Sequence, residues 1–216
     1  SHERLGETGR HTGFYLSEVS HPWKVLVEAG YEIDFVSPQG GEAPVDGMDL
    51  DDPINREFWD NATYRDKIAH THRPEEVNPA DYVAIQYAGG HGTMWDFREN
   101  KSIAEVAARI YENGGVVSAV CHGPAGLLPI RLSNGQPLVK GKSCAGFTNE
   151  EESLVGLTEV VPYLLEDELV ILGAEMQKAE PWQAKVVVDE RLVTGQNPAS
   201  AHELGEAVLD VLSSLN

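Results

Sequence analysis

Residues 116–126 read VVSAVCHGPAG. The first five make a short apolar run of the kind found in the middle of a parallel sheet with both faces covered. A thiol and an imidazole follow at once, and glycine and proline then break the run. Upstream, DYVAIQYAGGHG (81–92) is a second apolar run, ending in three glycines around a histidine. Between the two, KSIAEVAARIYENGG (101–115) sets Ile103, Val106, Ala107 and Ile110 on one helical face, with Gly114 closing the helix. Strand, helix, strand in this rhythm is a βαβ unit, whose crossover is right-handed.

Working outward, YLSEVSHPWKVLVEA (15–29) spaces Leu16, Val19, Trp23, Leu26 and Val27 as a helical face. Pro22 is expected to kink or restart that helix, and Gly30 to end it. YEIDFVSP (31–38) alternates like a strand, residues 39–53 are rich in turn formers, and 55–80 is a polar, partly helical stretch. AGLLPI (125–130) reads as helix. LSNGQPLVKGKSCAGF (132–147) reads as a hairpin turning at Asn134-Gly135. NEEESLVGL (149–157) reads as a helix capped by Asn149, with Glu150 to Glu152 in its positive first turn. AKVVVD (184–189) and RLVTGQ (191–196) pair as a second hairpin, and a helix closes the chain. The prediction is an α/β fold, a three-layer α/β/α sandwich with a mostly parallel sheet, forming one domain over residues 1–216.

Composition narrows the function. Sixteen Lys plus Arg against 35 Asp plus Glu give a formal charge of −19, with no basic cluster, so nucleic acid and anionic membrane surfaces are excluded as partners. The acidity serves solubility or a salty habitat. No apolar stretch approaches the roughly 18 residues of a membrane span, and the first residues, SHERLGETGR, do not read as a signal peptide. A cytoplasmic protein is expected. Cys121 and Cys144, without CxxC spacing, read as two reduced thiols rather than a disulfide framework or zinc site.

Cys121 then admits two readings. Free cysteine is among the most buried residue types and usually inert. A cysteine at a strand-to-helix turn is instead raised out of the sheet, where the amides and dipole of the next helix favour its thiolate. Gly123 and Gly126 supply the small residues such a turn demands. His122 adds a titratable base and a backbone N–H for an oxyanion. The loop AGGHGTMWDF follows a neighbouring strand end, and its Gly89-Gly90 backbone offers further N–H donors.

The motifs AVCHGPAGLL, YAGGHGTMWDF and AGFTNEEE, together with TGFYLSEVSHPW, GYEIDFVSPQGG and LVTGQNPASA, resemble the ThiJ/PfpI superfamily, which shares the flavodoxin-like fold of class I glutamine amidotransferase domains. The resemblance is strongest to its heat-shock-protein-like, glutathione-independent glyoxalase III branch. It implies a cysteine-dependent lyase that converts methylglyoxal, a 2-oxoaldehyde, to lactate with no cofactor and no metal, in a homodimer. It implies Cys121 as nucleophile, His122 as its partner, and Glu152 as the acid orienting His122, with Glu150 or Glu151 as the alternatives. Glu18 becomes the general acid/base beside the sulfur, Gly90 and the His122 backbone the oxyanion site, and His91 a pocket residue of unassigned role. Cys144 is read as a strand residue facing the core. The resemblance also implies a strand ahead of Ser1-His2, whose residues are expected upstream. Two other activities fit the superfamily: a stress-linked chaperone and redox sensor, with an apolar surface around Trp59, Trp95 or Trp182, and a cysteine amidase or peptidase.

Overall fold

The computed structural model describes residues 1–215. In chain order, β1 (Phe14–Tyr15) leads into α1 (Ser17–Glu28), and β2 (Val45–Asp46) pairs with β1 in parallel. Two short helices follow, α2 (Pro53–Asp60) and α3 (Ala62–Ala69), each started by an Asx side chain: Asp52 accepts from Ile54 N–H (2.8 Å) and Asn61 from Thr63 N–H (3.1 Å). The βαβ unit is β3 (Ala84–Tyr87), α4 (Thr93–Asp96), α5 (Lys101–Glu112) and β4 (Val116–Val120). Next come β5 (Ser143–Cys144), α6 (Asn149–Leu154), α7 (Leu165–Ile171) and β6 (Glu175–Met176). The hairpin β7 (Val186–Asp189) and β8 (Leu192–Gly195) precedes the last helix, α8 (Ala201–Ser214).

The main sheet runs β3-β4-β8-β7, parallel except for β7. All five residues of β4 are buried, and the two-residue strand period sorts them between two layers. Val117 and Ala119 pack with Ile103 and Ala107 of α5, whereas Val116 and Val120 pack with Leu204 and Val208 of α8. α1 lies against α8 so closely that a Cβ on Gly205 would stand 2.8 Å from Pro22 Cα. This is the expected three-layer sandwich. No helix among the described residues is long and apolar enough to cross a membrane.

Five local expectations need correction. Residues 31–38 are not a strand: their ladder is reduced to the Val36–His72 bridge. A cavity of about 430 Å³ runs between that segment and β3, lined by Ile33, Phe35 and Ile85, with Val106 of α5 on one side and Trp23 and Val208 on the other. Alternation made the segment strand-like, but no strand lies alongside to pair with it. Residues 123–127 form a 3₁₀ turn, because two glycines and Pro124 within five residues break an α-helix. The 132–136 turn exists (Leu132 N–H to Gln136 O, 3.0 Å), but the hairpin reaches no further than the antiparallel Arg131–Pro137 bridge and the Leu138 N–H to Ile130 O bond (3.2 Å). Consecutive Leu138 and Val139 are both buried, which a hairpin strand with one wet face does not allow, and β5 pairs in parallel with β6 instead. α6 is capped by Thr148, not Asn149, in a reciprocal box with Glu151. Pro22, finally, sits inside a continuous α1 and restarts nothing.

Candidate active site

β4 delivers Cys121 at the carboxyl edge of the sheet, where ligands of open α/β folds gather. Its φ of 59° lies in the left-handed region, a strained state for a side chain with a Cβ. Two backbone bonds hold it there: Cys121 N–H to Gly195 O (2.9 Å) and Phe147 N–H to Cys121 O (2.8 Å). Beneath the turn, Gly123 and Gly126 pack on Tyr87, where an added Cβ would come within 2.2 Å of its carbonyl oxygen and of its ring. The sulfur is thus aimed by the backbone, while the residue as a whole remains only 4% exposed.

Glu18 enters from the first turn of α1 and is wholly buried. Its Oε2 accepts the Gly89 N–H at 2.7 Å, and its Oε1 lacks a conventional hydrogen-bond partner. Glycine is required at 89, since a Cβ there would stand 2.5 Å from Glu18 Oε2 and 2.6 Å from Val120 O. Burial pushes the Glu18 carboxyl up to about 8, hydrogen bonds from the Cys121 thiol and Gly89 pull against it, and Asp46 adds to the rise. The Cys121 thiol is raised well above its ordinary value, first by burial and then by the charge of Glu18 and its hydrogen bond, with the Gly90 and His122 N–H groups opposing. Two acids that both resist ionising, side by side, each keep their proton at neutral pH. The expectation of a free thiolate stabilised by a helix dipole is therefore overturned. Burial outweighs the donors, and the element after Cys121 is only a five-residue 3₁₀ turn.

On the other side of the sulfur, His122 Nδ1 lies 3.5 Å from Cys121 Sγ and its Nε2 2.7 Å from Glu152 Oε2. With Nε2–H donated to the carboxylate, Nδ1 presents a lone pair to the thiol. Burial, and His91 beside it, lower His122 to about 4 against the pull of Glu152, so the imidazole is neutral at pH 7. Burial alone would raise Glu152, but hydrogen bonds from His122 and His91 hold it down at about 2. Glu150 is exposed, and Glu151 is consumed elsewhere. Glu151 Oε1 accepts from Trp182 N–H (3.0 Å), Gln196 Nε2 (3.1 Å) and Asn197 Nδ2 (2.8 Å), and its Oε2 from Thr148 N–H (3.0 Å). Of the three adjacent carboxylates, only Glu152 faces the imidazole.

A sequence profile of the DJ-1/PfpI family matches residues 11–211. The chain belongs to that family. Its relatives include the glutathione-independent glyoxalase HSP31 of Saccharomyces cerevisiae, 36% identical over 95% of this chain and 92% of the relative. Among solved structures, glyoxalase III of Candida albicans superimposes with a TM-score of 0.90 at 32% identity, covering 98% of this chain and 93% of that one. The 24 kDa rapid encystment protein of Francisella tularensis gives 0.93 at 39%, covering 100% and 96%.

The structure gives His91 partners that the sequence left unassigned, and adds Phe147, Thr93 and Tyr15, which the sequence did not mark. His91 bonds Glu152 Oε1 (2.7 Å), stacks 4.0 Å from the His122 ring, and is the triad neighbour most open to solvent. The Phe147 ring lies 4.2 Å from His122, under Trp182. Thr93 Oγ1 donates to Gly90 O (2.9 Å) and His122 O (3.2 Å), tying the two loops together. Tyr15 is raised by burial, then by Glu18, Asp46 and Cys121, which places its phenol within electrostatic reach of the site. Among the described residues, His91, His122 and Glu152 form the one donor set tight enough for a metal, with their ligand atoms within 4.8 Å, though each imidazole already bonds the carboxylate. Cys144 is buried and unpaired at β5. Trp59 and Trp95 are engaged by Arg65 and His2, leaving Trp182 as the exposed indole.

Proposed function

We propose that this protein is a glutathione-independent glyoxalase that converts methylglyoxal to lactate at Cys121. The observation that carries the reading is the buried Glu18–Cys121 pair, hydrogen-bonded to each other beside the Gly90 and His122 amides. In the proposed reaction the sulfur adds to the aldehyde carbon as the thiol proton passes to the former carbonyl oxygen, and Glu18 releases its own proton to water. Glu18, now a carboxylate, takes the hydrogen of that carbon, and the hydroxyl proton there passes to the neighbouring oxygen, leaving an enediolate. It returns the proton to the adjacent carbon, giving a lactyl thioester. Water, deprotonated by His122 with Glu152 behind it, hydrolyses the thioester, and lactate leaves as the thiol is reformed. A carboxyl near 8 suits both halves of the transfer, because it is protonated in one step and basic in the next. No step calls on a metal or nucleotide.

The names of the yeast relatives support this substrate class. A homodimer, a cytoplasmic location and a single domain spanning the chain complete the proposal, with family resemblance as their support. Sedimentation and cell fractionation test the first two. The test of activity is direct: purified protein is given methylglyoxal without glutathione, and lactate is measured. Wild type turns over, while Cys121→Ala and Glu18→Ala do not. Normal turnover in either variant would overturn the mechanism.

A further inference from the structure

Pro22 stands in the second turn of α1, where another residue would donate its N–H to the carbonyl of Glu18 four positions back. Proline has no N–H, and its ring presses on that same carbonyl. The helix thus loses a backbone bond at the residue whose side chain faces the thiol. The carbonyl nevertheless finds a partner, since Gln86 Nε2 donates to it at 2.9 Å from β3. Gln86 is the lone amide in the strand Ala-Ile-Gln-Tyr, and its register partner is Ser118 of β4. Three residues further on, Gly89 N–H holds the Glu18 carboxyl.

We infer that Gln86 is a positioning residue for Glu18. It takes the acceptor that Pro22 sets free, so backbone and carboxyl of Glu18 are fixed to one strand and the loop that continues it. Glu18 then keeps its place relative to the Gly89-Gly90 amides and the sulfur. A buried carboxyl with no countercharge needs such fixing, because ionisation drives it toward water. The inference rests on Glu18 being the proton carrier, and two readouts separate them.

The first is turnover. Gln86→Leu keeps the volume and removes the donor, and is expected to lower kcat about tenfold with KM within about twofold, the pattern of a misplaced catalytic group. Pro22→Ala restores the helical N–H, so Pro22→Ala/Gln86→Leu is expected to recover kcat to within about twofold of wild type. The second readout needs no turnover: the pH profile of Cys121 alkylation by iodoacetamide. If Glu18 recedes, its charge no longer raises the thiol, and Gln86→Leu reacts about threefold or more faster at pH 8, reverting in the double variant. An unchanged alkylation profile in Gln86→Leu overturns the inference, as does a defect that Pro22→Ala fails to relieve. A changed and rescued profile in a protein without glyoxalase turnover upholds the positioning and sinks the proposed function. If Gln86→Leu does not fold, a folded double variant with the wild-type profile upholds the exchange of donors, and an unfolded one overturns it.

Discussion

Replacing Glu18 with Gln exchanges catalysis for stability, by an amount that grows with pH. The carboxyl stands at about 8, against an ordinary 4.5. Above pH 4.5 the unfolded chain gives up this proton while the native state keeps it. The group therefore contributes its full stability below 4.5 and loses it as pH rises toward 8. Each pH unit removes about 1.4 kcal/mol, so the 2.5 units from 4.5 to 7 remove about 3 kcal/mol. Because Cys121 is coupled to this titration through its hydrogen bond and through charge, a gain of about 1 to 3 kcal/mol is expected for Glu18→Gln at pH 7 relative to its difference from wild type at pH 4.5. That is a Tm rise of about 2–4 °C per kcal/mol for a chain of this size. The amide keeps an oxygen for the Gly89 N–H and carries no charge. Urea unfolding of both proteins between pH 4.5 and 8.5 reads the difference, in which other titrating groups cancel. It should widen with pH and level off above about 8, where the buried carboxyl itself ionises. In the same preparations kcat should fall by about 10²–10⁴, the range for loss of a general acid/base. A stability difference that does not change with pH would refute the assignment of a raised Glu18.

Gly89→Ala places a Cβ 2.5 Å from Glu18 Oε2 and 2.7 Å from His122 N, so the carboxyl or the loop must move. Overpacking of about 1–3 kcal/mol is expected, seen as a lower Tm, together with a fall in kcat at nearly constant KM. His122 is depressed to about 4 and Glu152 to about 2, so wild type should lose stability as pH falls from 6.5 through 4 and again from 4.5 toward 2. Glu152→Gln should abolish the lower limb in acid titrations followed by tryptophan fluorescence, and should lower kcat about 10²-fold or more through loss of the His122 tautomer.

The central strand, its crossover helix and the cysteine at its end were legible because local pattern and tertiary role coincide. VVSAV is buried on both faces and can only be an inner strand. Residues 31–38 misled for the opposite reason: alternation describes a surface, and pairing depends on a neighbour the local pattern does not contain. Glu18 was reached through resemblance, since a carboxylate on an amphipathic helix gives no local sign that it is buried. Glu152 could not be separated from Glu150 and Glu151 by composition. The α6 cap separates them, turning Glu151 to Thr148 and Asn197 and Glu152 to His122. Gln86 carried a signal, an amide in an apolar run, but its meaning needed Pro22, 64 positions earlier and adjacent only in the fold.

The protonation pattern also bears on the chemistries open to this fold. A cysteine peptidase works from a thiolate paired with an imidazolium, which requires a thiol lowered and a histidine raised. Here burial raises Cys121 and lowers His122, so that ion pair is disfavoured at both ends. The same arguments weaken a redox sensor, which depends on an accessible thiolate. A neutral thiol beside a carboxyl near 8 is suited to adding S–H across an aldehyde, where sulfur and proton are delivered together and little net charge develops. In the proposed reaction the carboxyl, once it has given up its proton, is the group that takes the hydrogen of the new thiohemiacetal carbon. In the proposed mechanism the carboxyl that hinders ionisation of the sulfur before substrate arrives is thus the base that the isomerisation needs after it has bound. Moving that charge away should make the thiol more reactive toward alkylating agents and the protein worse as a glyoxalase.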